Sequence, residues 1–182
     1  MRVIAGKYKG LKLTGFDILG TRPTMDRVKE SMIASIQNYI PGSSVLDLFA
    51  GSGSIGIEML SNGAKKCYFS DNNQIAINVL KENTKKIEEE IHIIKNDYQN
   101  ILNDLKDKEK FDIIFLDPPY NLNLINNCLE LINKNDLLTK EGIIVLEYEN
   151  EKIDSKNYDI LKMKKYGNKN IMVLKKINEN KM

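Results

Sequence analysis

One histidine, His92, and two cysteines, Cys67 and Cys128, are spread through a chain of 182 residues. The cysteines form no Cys-x-x-Cys pair and the histidine has no partner at ligand spacing, which excludes a disulfide scaffold and a structural zinc site; no metal is expected. His92 sits in the strand-like run Ile91-His92-Ile93-Ile94, so no Ser-His-Asp or Cys-His constellation can be assembled around it. Long apolar runs are missing as well: residues 113–116 and 143–146 fall far short of the roughly 20 apolar residues that a bilayer helix needs, and no membrane contact is expected. Residues 1–7 hold neither an apolar stretch nor a small-residue cleavage site, so no secretion signal is read and the cytoplasm is the expected compartment. Arginine is absent after residue 27.

The remaining composition is that of a folded chain. Hydrophobic residues make up 42% and charged residues 29%, which argues against disorder or a fibrous repeat. The length suits a single domain over residues 1–182. A net charge of +2 says little about partners, but its distribution is uneven. The first 30 residues carry Arg2, Lys7, Lys9, Lys12, Arg22, Arg27 and Lys29 against Asp17, Asp26 and Glu30. In a chain biased toward Lys, Asn and Ile, arginine persists where a planar fork serves phosphate or carboxylate; the bland counterpart is clustering by chance.

From Ser44 onward, short apolar runs alternate with helix-like stretches, the pattern of a mostly parallel sheet covered on both faces. Strands are expected at 45–49, 66–70, 91–95, 111–116 and 142–147, with helices near 54–62, 73–88, 97–107 and 121–134. Runs at 158–165 and 170–176 flank Tyr166-Gly167-Asn168, which predicts an antiparallel hairpin closing a seven-stranded α/β sheet. Ahead of this core, 2–5 and 11–14 read as a small basic hairpin, so that 1–22 is an extension and 23–182 the α/β core. A helix follows Pro23-Thr24, with Val28, Met32, Ile36 and Tyr39 or Ile40 on one face.

Chemistry concentrates in two segments. After the first strand comes Asp47-Leu48-Phe49-Ala50-Gly51-Ser52-Gly53-Ser54-Ile55-Gly56, whose glycines let the backbone turn tightly against a ligand while a following helix aims free N–H groups at it. Asp71 lies 20 positions after Gly51, where a carboxylate accepts from ribose hydroxyls. The glycines alone leave NAD and S-adenosylmethionine open. Asp47 inside the strand favours the second, because a carboxylate there repels a pyrophosphate and suits a cationic amino-acid moiety.

Asp117-Pro118-Pro119-Tyr120 follows the fourth strand, on the carboxyl edge where open α/β sheets bind ligands. A tetrapeptide of this kind arises by chance in roughly one chain in a few hundred of this length. Its groups fit methylation of an aromatic exocyclic amine, whose lone pair is delocalised and poorly nucleophilic. Asp117 and the Pro118 carbonyl would accept the two N–H bonds, the prolines would hold those acceptors rigid, and Tyr120 would stack on the base.

At these residues the chain resembles class I S-adenosylmethionine-dependent amino-methyltransferases, and within them, end to end, the bacterial 16S rRNA (guanine(966)-N2)-methyltransferase family. Further matches are Arg2-Val3-Ile4-Ala5-Gly6-Lys7-Tyr8-Lys9-Gly10-Leu11-Lys12-Leu13, then Arg22-Pro23-Thr24-x-Asp26-Arg27-Val28-Lys29-Glu30, and Tyr166-Gly167. The resemblance implies a Rossmann-like sheet and S-adenosylmethionine held by Asp47, Phe49, Ala50, Gly51, Ser52, Gly53, Asp71, Asn72 and Asp97, with Asp97 beside the adenine. It implies catalysis at Asp117, Pro118, Pro119 and Tyr120, and 16S rRNA in the small ribosomal subunit as substrate, met by Arg2, Lys7, Lys9, Lys12, Arg22 and Arg27. A monomer is expected. Asp71 stands where the family usually has glutamate, and Asn72-Asn73 replace a charged pair.

Each of these residues has a plainer role open to it. Asp71 and Asp97 could cap the helices that follow them, Tyr120 could pack its loop, and Arg22 and Arg27 could pair with Asp26 or Glu30. Glu147, ending the fifth strand, is either a wall of the site or surface. Rival functions are a DNA adenine or cytosine N-methyltransferase, a protein-glutamine methyltransferase, an NAD-dependent oxidoreductase, and a non-catalytic RNA-binding scaffold.

Overall fold

Four residues, Ser44–Asp47, form the central strand β1, and every one of them is buried. A computed structural model of the chain describes residues 1–15, 23–119 and 122–177. Around β1 are ranged β2 (Lys66–Asp71), β3 (Glu90–Lys95), β4 (Phe111–Leu116), β5 (Leu138–Tyr148), β6 (Tyr158–Tyr166) and β7 (Lys169–Lys176), in the spatial order 3-2-1-4-5-7-6. The first five strands run parallel, while β7 is antiparallel to both β5 and β6. The expected mixed sheet with a carboxyl-terminal hairpin is therefore observed. Gly167, at φ +59°, makes the left-handed step between the paired Tyr166 and Lys169.

Alternation along the strands builds two cores. Val45, Cys67, Phe69, Ile113, Phe115, Ile143, Val145, Ile171 and Val173 face one layer, and Leu46, Ile114, Leu116, Ile144, Leu146, Met172 and Leu174 the other. Helices α1 (Pro23–Ser35), α2 (Ser54–Ser61) and α3 (Gln74–Asn83) cover the first face; α4 (Tyr98–Asp104) and α5 (Ile125–Lys134) cover the second. On α5 the buried Ile125, Cys128, Leu129 and Ile132 recur at helical spacing, a stripe that packs on the sheet. Burying each such side chain contributes about 1.5–3 kcal/mol. A 3₁₀ turn at Gln37–Tyr39 extends α1 toward the buried Ile40, and the Tyr166 hydroxyl hydrogen-bonds Ser31 of α1.

Two expectations need correction. The amino-terminal hairpin has no regular strands: one antiparallel bridge, Arg2 to Lys12, and backbone hydrogen bonds from Val3 to Leu11, Gly10 to Val3 and Leu13 to Met1 hold it. Its backbone also bonds to α2, since Ile4 and Ala5 donate to the buried Glu58 carboxylate, and Lys7 and Tyr8 donate to the Ser61 carbonyl and hydroxyl. Gly6, at φ +84°, permits this docking, because a Cβ there would lie 2.0 Å from the Ser61 carbonyl oxygen. Strand β5 starts at Leu138, four residues earlier than expected. Polar Thr139-Lys140-Glu141 hides this stretch from an apolar-run reading, and a register shift against β4 between Phe111 and Ile113 accommodates it.

The order of strands reverses between β1 and β4, which opens a crevice outside their carboxyl ends. Both motifs lie there.

Candidate active site

The segment following β1 is stitched to the end of β2. Ala50 donates to the Ser70 carbonyl at 2.8 Å, the Ser70 hydroxyl donates to the Leu48 carbonyl at 2.8 Å, and Gly51 donates to Asp71 Oδ2 at 3.0 Å. Gly51 and Gly53 take φ of +56° and +83°, and a Cβ on Gly53 would lie 2.3 Å from Leu80. Gly53 is the residue before α2, whose start carries no side-chain cap, leaving its first-turn amides for other partners. One of them, Gly56 N–H, donates to Asp47 Oδ2 at 3.1 Å.

Asp47 is buried, and Gly56 is its one hydrogen-bond donor among the described residues. Burial pushes its carboxyl up to about 7, with the Asp71 charge adding to the rise and the Gly56 amide opposing it. Asp71 is half-buried and also accepts from Asn73 at 2.9 Å through its other oxygen. The cap of α3 is Asn73, whose side chain accepts from Ile75 and Ala76, so the helix-capping role does not fall to Asp71. Asn72 is exposed beside it. Asp97 does cap its helix: its Oδ1 accepts from Asn100 at 2.8 Å at the start of α4. Phe49 packs against Tyr98 with ring centroids 5.8 Å apart. Asn83, which nothing in the sequence singled out, donates to the Ser52 carbonyl and to the Thr14 carbonyl, both at 2.8 Å, and accepts from Thr14 N–H.

Across the crevice, Asp117 leaves β4 with Pro118 buried and Pro119 exposed behind it. Its carboxyl meets that of Glu147 on β5, and Glu147 Oε1 lies 2.8 Å from Lys169 Nζ on β7. Burial first, then the Glu147 charge, push the Asp117 carboxyl well above the ordinary range; Lys169 pulls it down and Asp47 adds to the rise. A polar cavity of about 100 Å³ adjoins, lined by Pro118, Asn123 and the acidic end of β5. Glu147 therefore lines this cavity, and its partner Lys169 is a residue that sequence reasoning missed. Tyr120 and Arg22 lie outside the described residues.

The basic residues divide. Arg2, Lys9, Lys12 and Arg27 are exposed, and among the described residues no ion pair joins Arg27 to Asp26 or Glu30. Lys7 is exposed but lies 2.9 Å from Glu88 and 3.0 Å from Glu89, which hold its ammonium above its usual value. Lys29 is buried, pairing with Glu58 at 3.4 Å and donating to the Arg2 carbonyl.

Comparison with known proteins places the chain. Residues 1–175 match the family model described as Conserved hypothetical protein 95. Ribosomal RNA small subunit methyltransferase D of Haemophilus influenzae is 37% identical over 172 residues, covering 92% of this chain and 89% of its own length. The enzyme of the same name from Escherichia coli K12 is 32% identical, covering 83% of this chain and 76% of its own. A solved structure of a candidate methyltransferase from Escherichia coli superposes with a TM-score of 0.87 at 26% identity, covering 98% of this chain and 99% of that one. The chain belongs to the Conserved hypothetical protein 95 family, in which it is similar to the ribosomal RNA small subunit methyltransferases D.

Proposed function

We propose that the protein is an S-adenosylmethionine-dependent rRNA methyltransferase of the cytoplasm that methylates the exocyclic N2 amine of a guanine in 16S rRNA of the small ribosomal subunit. The position, G966, and the guanine itself rest on the resemblance of its motifs to that family. The observation that carries the reading is the meeting of two acids at one crevice: the buried Asp47 behind the glycine turn, and Asp117-Pro118 at the end of the neighbouring strand β4.

The residues suit the cofactor. A buried carboxyl with one donor keeps acceptor capacity for an ammonium group, and a cation there offsets the cost of its ionised form. Gly51 and Gly53 bring bare backbone to the ligand, and Asp71, which fixes Gly51 and Asn73, has lone pairs left for ribose hydroxyls. Phe49, Ala50, Ser52, Asn72 and Asp97 border the same turn and the ends of the neighbouring strands. Bound there, S-adenosylmethionine supplies a methyl group already activated on a sulfonium. A pyrophosphate would face Asp47 unfavourably, which speaks against the NAD-dependent oxidoreductase.

Asp117 accepts one N–H of the target amine and the Pro118 carbonyl the other, so that the lone pair points into the crevice. As the nitrogen gains the methyl group it gives up one proton, and the Asp117 carboxylate is placed to receive it. Pro119 stiffens the turn, and Tyr120 offers a stacking face. The exposed Arg2, Lys9, Lys12 and Arg27, with Arg22, meet the rRNA backbone.

The test is transfer of labelled methyl from S-adenosylmethionine to small-subunit particles that lack the modification, with duplex DNA and protein acceptors in parallel. Label in the rRNA supports the reading; label only in DNA or protein, or none, overturns it.

A further inference from the structure

The sheet register brings Asp47, Asp117, Glu147 and Lys169 to one face at its carboxyl edge. Paired residues of parallel strands point to the same side, and side chains two apart share a face. Val45, Ile113, Phe115, Ile143, Val145, Ile171 and Val173 belong to one core layer, the layer beneath α1, α2 and α3. Continuing each strand by two residues puts Asp47 after Val45, Asp117 after Phe115 and Glu147 after Val145, and stepping back from Ile171 puts Lys169 on the same face. Leu116 pairs with Leu146, so Asp117 and Glu147 continue the register side by side, while Glu147 pairs with Ile171, which makes Lys169, two residues before Ile171, the diagonal neighbour of Glu147.

A carboxyl group beside a second carboxylate ionises less freely, which ties the charge of Asp117 to the placement of Glu147. Lys169 Nζ, at 2.8 Å from Glu147 Oε1, anchors the Glu147 carboxylate beside Asp117, because a half-buried ammonium holds that oxygen. We propose that Glu147, anchored by Lys169, is a positioning residue for Asp117: it fixes the direction of the Asp117 carboxyl and makes its charge depend on the pair. The inference rests on the rRNA methyltransferase reading for its use, but the arrangement itself is a property of the ligand-free protein.

Consequences follow for proton handling. The charged groups facing Asp117 are Glu147 from β5, Lys169 from β7 and Asp47 from β1, among the described residues. Glu147 and Asp47 raise the Asp117 carboxyl and Lys169 lowers it. An Asp117 poised upward in this way is a better proton acceptor from a methylated amine than an ordinary aspartate, at the cost of being uncharged at low pH. Neutralising either neighbour must therefore move Asp117 in opposite directions, a signature that a merely structural role does not produce.

The experiment is ¹³C-carboxyl NMR titration of the ligand-free protein, with Asp117→Asn identifying the resonance, on wild type, Glu147→Gln and Lys169→Met. We expect the wild-type Asp117 midpoint above the ordinary aspartate value, a fall in Glu147→Gln, and a rise in Lys169→Met. The acid limb of the methylation rate shifts the same way in each. Because Lys169→Met acts from the far side of Glu147, it decides the matter alone if Glu147→Gln fails to fold. An ordinary wild-type midpoint, or midpoints unmoved or moved together, overturns the proposal. Opposite NMR shifts in a protein that methylates no rRNA sink the functional reading and leave the pair intact; rRNA methylation with unmoved midpoints does the reverse.

Discussion

Asp71 Oδ2 accepts the Gly51 amide at 3.0 Å, so the carboxylate that ends β2 also fixes the glycine turn that follows β1. With Asn73 N–H on its second oxygen, Asp71 is a brace between two loops as well as a candidate ribose acceptor. Asp71→Ala removes both braces. Hydrogen bonds to a charged acceptor contribute about 1.5–3 kcal/mol, so calorimetry should show S-adenosylmethionine binding weakened roughly 10- to 100-fold. An unaltered Kd would detach Asp71 from the cofactor.

Asp47 gives the protein a pH dependence of known sign. Its carboxyl is raised to about 7 in the folded chain, against about 3.9 for an unperturbed aspartate. Its contribution to stability is thus fully present below pH about 4 and is lost as pH rises through about 7. Asp47→Asn, which never ionises, should unfold at higher denaturant than wild type at pH 8, by on the order of 4 kcal/mol, with little difference at pH 4. The same variant should lose S-adenosylmethionine binding, and wild-type affinity should fall below pH about 7 as the carboxyl protonates. A variant less stable than wild type at pH 8 would contradict this assignment.

Gly56 lies against the sheet with no room for a methyl group: a Cβ would sit 2.3 Å from the Phe69 ring and 2.8 Å from the Cys67 sulfur. Overpacking of this kind costs about 1–3 kcal/mol, so Gly56→Ala should lower Tm by several degrees, at about 2–4 °C per kcal/mol for a domain of this size. A thermal scan within one degree of wild type would show that α2 can shift away from β2.

The basic residues of the hairpin should differ in their effect on RNA binding. Each phosphate contact contributes about 0.7–0.9 to the slope of log K against log salt. Lys9→Ala with Lys12→Ala should reduce that slope by up to about two, whereas Lys7→Ala should change it less, because Glu88 and Glu89 already pair with Lys7. Equal effects of all three would show that the Lys7 pairs open when RNA binds.

Much of this was legible because it is local. Near-continuous apolar runs such as 111–116 mark buried parallel strands, and Gly167 marks its hairpin turn. Asp47 announces itself as an acid inside such a run. What escaped depends on contacts between distant segments. Glu58 reads as one polar residue in a helix, yet it is buried beneath Ile4, Ala5 and Lys29, and it ties the amino-terminal hairpin down onto α2. Asn83 lies in a polar stretch of α3, and its link between Thr14 and Ser52 spans 69 positions on one side and 31 on the other. Lys169 carries no local signal among the many lysines of the tail; only the antiparallel return of β7 brings it to Glu147.

The central claim, that Asp117-Pro118 presents a guanine amine of 16S rRNA to the cofactor turn, is tested most directly by nucleoside mass spectrometry. Small-subunit particles lacking the modification would be incubated with S-adenosylmethionine and either wild type or Asp117→Ala. The account predicts N2-methylguanosine at one rRNA site with wild type, and at least a hundredfold less with Asp117→Ala while rRNA binding is largely kept. A different methylated nucleoside, or undiminished turnover without the Asp117 carboxyl, would contradict it.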